Sequence, residues 1–204
     1  MGKKTVLIMK TNSQIRQEAR SLMKGNWGDG VIIFMIYSLI SGVCSFLFSI
    51  SIIFVGWPLA FGILMLFLKF VRSEQKLDVS GAFSAFKGPF YWKSIGVYLL
   101  SGIFIGLWSL LLIIPGIIKS LSYALAPYIL ADNPNLSVDE AIEQSMKMMK
   151  GHKMDLFLMI LGYVGYSLLS ILALGIPLLW ITPYYYAVFA KFYDEVKKDF
   201  QLAV

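Results

Sequence analysis

Histidine and cysteine occur once each in these 204 residues, at His152 and Cys44, and charge is scarce, with 18 Lys and Arg and 12 Asp and Glu making up 15% of the chain. A metal centre needs several convergent His, Cys or carboxylate ligands, so none is expected, and no other cofactor is implied. A single cysteine forms no intrachain disulfide, and without a neighbouring cation or base it has no claim to be a nucleophile. Walker loops, HExxH pairs and nucleophile elbows are all missing. Soluble domains carry about 25% charged residues. At 58% hydrophobic, this chain is not expected to be a cytosolic enzyme.

The scarcity of charge is uneven. Three windows, Val31 to Leu68, Ser94 to Ala131 and Leu156 to Ala190, contain no Asp, Glu or Arg and share one Lys, Lys119. Each holds 35 to 38 residues, nearly twice the ~20 that cross a hydrocarbon core of ~30 Å. Each is therefore expected to fold as a hairpin of two spans. The reversals are expected at Gly56 and Pro58, at Pro115 and Gly116, and at Gly175 and Pro177, where proline removes a donor and glycine frees the backbone. Strand alternation is absent and lipid satisfies no open backbone, so six transmembrane helices follow.

The first 30 residues hold one apolar patch, "VLIM" at 6 to 9, and no small-residue cleavage site. No secretory signal is expected, and "MGKKTV" fails the myristoylation pattern. Placing the termini in the cytoplasm puts 17 of the 18 basic residues on that side, as the positive-inside rule requires. All 12 acidic residues fall there too, leaving an external face of three short turns. The net charge of +6 reads as attraction to anionic headgroups of a cytoplasmic leaflet, with no nucleic acid expected.

Lys24-Gly25, Lys87-Gly88 and Lys150-Gly151 recur at intervals of 63 residues, each closing a short segment of helical periodicity before a hydrophobic hairpin. In the first segment Ile15, Ala19, Leu22 and Met23 form the apolar stripe, with Ser13 as N-cap. In the second, Val79, Ala82, Phe83 and Phe86 do so, with Asp78 as cap. In the third, Ser137 and Glu140 form a capping box, and Glu143 can pair with Lys147. The expected fold is an all-α integral membrane domain over 1–204. It would comprise three units, roughly 12–70, 76–131 and 137–192, each a cytoplasmic amphipathic helix followed by a hairpin.

"LMKGNWG" at 22–28, the run from Leu111 to Phe157 with its "ADNP" and "MMKGHK", and the closing "ITPYYYAVFAKFYDEV" at 181–196 resemble the Gram-positive integral membrane proteins grouped as domain-of-unknown-function family 975. The resemblance implies a polytopic helical protein of the plasma membrane. It supplies no catalytic residues.

Among the candidate residues, His152 has acidic neighbours but no second strong ligand, so a structural or headgroup-facing elbow role is expected. Lys119 has two readings: it snorkels to the outer interface, or it meets a lipid phosphate or anionic substrate inside the bundle. Tyr163, Tyr166, Tyr184 and Tyr185 could line a polar cavity or bond between helices. Gly102 and Gly106 form a GxxxG for close packing within the chain or between copies. Trp27 and Trp92 read as interfacial anchors. No acid or histidine lies deep in any span, which argues against an ion-coupled carrier.

The expected function is non-enzymatic: a multi-pass protein that binds lipid or an amphiphilic peptide, or supports envelope homeostasis. Its partners would be membrane lipids, a second copy or other membrane proteins. The alternative is a transporter, flippase-like protein or export or immunity factor for a hydrophobic or amphiphilic compound.

Overall fold

The computed structural model describes residues 10–47, 52–73 and 76–203. The patch at 6–9 lies outside these, as does the side chain of Cys44. The described chain is all-helical, with α1 at Asn12–Met23, α2 at Trp27–Leu47, a π turn at Ile52–Gly56, α3 at Trp57–Ser73 and a 3₁₀ helix at Val79–Phe86. There follow α4 at Phe90–Leu111, α5 at Ile113–Tyr123, α6 at Ala126–Asp132, α7 at Val138–Met148, α8 at Lys153–Leu172 and α9 at Leu178–Ala203. Four stretches are long and apolar enough to cross a membrane: Ile53–Ser73, Phe90–Leu110, Ile113–Asp132 and Lys153–Ile171. A fifth arises if α1 and α2, bent by 94°, count as one span. In α9 the apolar stretch ends at Ala190, and charged residues occupy the remainder.

The three Lys-Gly elbows share a backbone. Gly25, Gly88 and Gly151 have φ of +85°, +67° and +91°, the left-handed conformation that glycine enters without a Cβ penalty. At each, the lysine N–H donates to the carbonyl three residues back, on Ser21, Ser84 and Lys147. The segments ahead of them are capped from the sequence. Ser137 and Glu140 form the capping box, Asp78 accepts from Ser80 N–H, and Lys147 bonds Glu143 at 2.8 Å. The first cap is Thr11, boxed with Gln14, and not Ser13, because the helix starts one turn earlier than its apolar stripe.

The second segment departs further from expectation. It is a 3₁₀ helix, whose threefold period puts Ala82 and Ala85 on one buried line and leaves Phe83 38% exposed. Small residues are needed there because the segment lies directly on α3. A Cβ on Gly62 would overlap the Ala82 carbonyl.

None of the three segments merely floats on a surface. The 3₁₀ helix packs on α3, α7 packs on α5 and α6, and α1 packs on α9. Ser145 of α7 donates to Ser122 O at 2.8 Å and accepts from Leu125 N–H at 3.2 Å. Those bonds satisfy a break between α5 and α6 which the hydrophobic pattern hides and Pro127 enforces. Ile15, Ala19 and Met23 of α1 are fully buried. The C-terminal ends of α3 and α6 then converge with α9 on one ion cluster. Arg72 grips Asp132 at 2.6 and 2.8 Å and Asp194 at 2.7 Å, while Asp132 also accepts from Tyr193 and Lys197. The apolar flanks of α4 and α8 stay largely exposed around this core, as lipid-facing helices do.

Two of the expected reversals do not fall at the residues expected. Gly56 ends a π turn that runs straight into α3, with Pro58 in the first turn of that helix, so the pair opens a helix and does not divide two. Between α4 and α5 the chain breaks at Leu112, and Pro115 and Gly116 fall in the first turn of α5. Proline is tolerated there because that N–H has no partner in any case. Gly116 instead admits Ser109 of α4, whose hydroxyl a Cβ would overlap. Between α8 and α9, Gly175 has φ +77° and Pro177 precedes α9.

Candidate functional site: an arginine and tyrosine groove between three helices

α1 runs antiparallel to α9. Lys10 meets Glu195 at 3.3 Å at one end, and Arg16 O accepts from the Tyr184 hydroxyl at 3.2 Å further along. Asn12 Nδ2 donates to Asp155 O of α8 at 3.1 Å, so α1 is tied to both helices of the last hairpin. The apolar face of α1 is buried, which turns its opposite face into a groove of about 290 Å³ lined by Arg16, Arg20, Trp27, Tyr166, Trp180, Ile181, Tyr184 and Tyr185.

The depth of this groove decides its interest. Gly162 of α8 faces it, and a Cβ there would stand 3.0 Å from the Tyr185 hydroxyl and 3.8 Å from Arg16 Nη1. Gly162 lies seven residues beyond Asp155, the last charge on α8, which is about 10 Å along the helix. An arginine thus reaches the apolar part of a span, brought there by a different helix. The expectation that no acid or histidine lies deep in any span is a separate matter, since this group is an arginine and comes from outside the span.

Neither Arg16 nor Arg20 has a carboxylate partner among the described residues. Arg16 Nε donates to Asn12 O at 3.3 Å, and its other donors have no partner among the described residues. Tyr185 is 2% exposed and its hydroxyl has no hydrogen-bond partner among the described residues, an arrangement that costs about 1–3 kcal/mol unless something accepts the proton. Aromatic rings frame the site: Tyr184 stacks on Trp27 with centroids 6.3 Å apart, and Tyr185 meets Tyr163 edge-on at 4.9 Å and Tyr184 at 5.3 Å.

The structure therefore brings Tyr163, Tyr166, Tyr184 and Tyr185 together and adds Arg16, Arg20, Trp27 and Trp180. It does not bring Lys119 to them. Lys119 Nζ lies over the Trp108 ring at 4.9 Å and the Tyr123 ring at 5.9 Å, within the α4–α5 hairpin. Gly102 and Gly106 have nothing within 4 Å of an added Cβ, so they make no close helix contact within the chain. His152 Nε2 is 3.1 Å from Asp199 and Nδ1 is 4.0 Å from Asp155, tying the third elbow, Lys150-Gly151, to the end of α9. Lys24 and Lys87 close the other two elbows. Among the described residues no group of three or more His, Cys, Asp or Glu could hold a metal.

A larger cavity of about 640 Å³ lies between α3, the 3₁₀ helix and α6. Of the charged residues lining it, Arg72 and Asp132 are paired with each other, while Lys69 and Lys76 line it as well. The arginines of the smaller groove have no carboxylate partner among the described residues.

The sequence model of one family, described as "Protein of unknown function (DUF975)", matches residues 9–119 and 110–199. No curated protein and no solved structure matches the chain.

Proposed function

The chain belongs to the DUF975 family, whose description states no activity, and on that premise we propose a non-enzymatic, multi-pass membrane protein that binds the anionic headgroup of an amphiphile. The observation that carries this reading is the pair of arginines without acidic partners, set against tyrosines and tryptophans in a groove of about 290 Å³ beside the apolar stretch of α8. Guanidinium groups give charge-assisted, often paired hydrogen bonds to acidic oxygens. Indole and phenol rings accept the apolar stem at the depth where a lipid glycerol sits. A cation held in apolar surroundings is a functional feature by default.

In this reading six segments cross the bacterial plasma membrane, with α2 and the apolar part of α9 as the remaining two, and both termini are cytoplasmic. Three similar units of about 63 residues support it through their shared positive-φ elbows. Each short segment packs on the second span of the unit before it, and α1 closes the ring on α9. The transporter or flippase-like alternative draws on the same groove, but not on Lys119, whose partners are aromatic rings elsewhere.

A variant retaining the two groove tryptophans, Trp27 and Trp180, as its only ones, placed in vesicles with brominated lipid, tests the binding reading. Brominated anionic lipid should quench this pair more strongly than brominated zwitterionic lipid at equal mole fraction. Equal quenching would remove the case for headgroup selection.

A further inference from the structure

Resting on the headgroup-binding reading, we infer that the groove selects a phosphomonoester lipid, a phosphatidate or polyprenyl phosphate type of headgroup, over the singly charged phosphodiesters of bulk anionic lipid. Three features of the site point to a terminal phosphate. The first is charge. Arg16 and Arg20 stand one helical turn apart on α1, both line the groove, and no carboxylate lines it with them. Two fixed positive charges match the −1.5 to −2 of a phosphomonoester near neutral pH, whereas a diester carries one.

The second is the orphan donor. The Tyr185 hydroxyl is buried without a partner, on a residue 2% exposed that lines the groove. It stands against Gly162, and the point where a Cβ on Gly162 would lie is 3.0 Å from this hydroxyl and 3.8 Å from Arg16 Nη1. A terminal phosphate has three oxygens able to accept, enough for two guanidinium groups and this hydroxyl at once. A diester has two and carries a substituent where the third would be. The third is size. A space of about 290 Å³, equal to about ten waters at ~30 Å³ each, suits a phosphate with the first atoms of its stem. The exposed Tyr166 and Trp180 rings at its lip are placed to receive the stem that leads to the acyl or prenyl chain.

The test uses the full chain in detergent micelles, titrated by calorimetry with dioctanoyl phosphatidic acid, dioctanoyl phosphatidylglycerol and inorganic phosphate. The phosphatidic acid should bind at least about fivefold more tightly than the glycerol diester at about pH 7.5, and the margin should shrink at about pH 5.5, as the second phosphate proton returns. Tyr185→Phe, which keeps the ring and removes the unpartnered hydroxyl, should erase most of the margin while the variant remains folded. Equal binding of the two lipids would overturn the phosphomonoester assignment and leave the anionic-amphiphile reading standing. Binding of neither would overturn both. Inorganic phosphate binding as tightly as phosphatidic acid would overturn the assignment to a lipid.

Discussion

Tyr185 and Glu195 sit on the same helix, about three turns apart, and burial has opposite outcomes for them. Tyr185 buries a hydroxyl with nothing among the described residues to accept it, and removing that oxygen removes a desolvation cost. Tyr185→Phe should raise the thermal midpoint of the lipid-free protein, equivalent to about 1 kcal/mol. A lowered midpoint would mean the hydroxyl has a structural partner. Glu195 is 8% exposed. Burial pulls its pKa upward, but Lys198 and Lys10 outweigh burial and hold the carboxyl below its ordinary 4.5. A folded-state pKa below the unfolded one adds stability that is complete above the unfolded value and is lost as pH falls through the folded one. The melting temperature should therefore decline on acidification below 4.5, and Glu195→Gln should flatten part of that decline. An identical pH profile in the variant would contradict the role of the Lys10 tie.

At the scale of elements, local chemistry is legible in the sequence and the insertion of α1 is not. The Ser137–Glu140 box and the Asp78 cap follow from neighbouring residues. The three Lys-Gly elbows do as well. That α1 lies along α9 depends on tertiary contacts such as Lys10 with Glu195 and the Tyr184 hydroxyl with Arg16 O, which no periodicity encodes. The polar face of α1 reads as facing water, which hides Arg16 and Arg20. The signal available is their chemistry: arginines four apart on one short helix, in a chain with only three arginines. The reversals expected at Gly56 and Pro115 fail for a related reason, since proline and glycine open helices as readily as they end them. Glycine's other use, close approach, is testable. Gly62→Ala should destabilise by about 2–3 kcal/mol, because its Cβ overlaps a backbone carbonyl that cannot rotate away. Gly102→Ala, with open space around it, should change stability by less than about 0.5 kcal/mol. Equal effects in chemical denaturation would overturn the packing of the 3₁₀ helix on α3.

For the molecule as a whole, hydropathy reveals the membrane and the helical class, because long windows almost free of charge match the length and polarity of a bilayer core and fit poorly in a small water-facing domain. It does not reveal that the ends of α3 and α6 are fastened to α9 through Arg72, Asp132 and Asp194, since these residues lie far apart in sequence and look like ordinary flanking charges. Nor does it reveal a polar groove, because Arg16, Arg20 and Trp27 come to that groove from outside the apolar windows. The central claim, that this groove binds an anionic headgroup through Arg16 and Arg20, is tested most directly by native mass spectrometry of protein released from nanodiscs containing equal anionic and zwitterionic lipid. The wild type should carry anionic lipid adducts, and the Arg16→Gln/Arg20→Gln protein should lose about tenfold in their abundance, the equivalent of about 1.4 kcal/mol. An unchanged adduct pattern in the double variant would contradict the account.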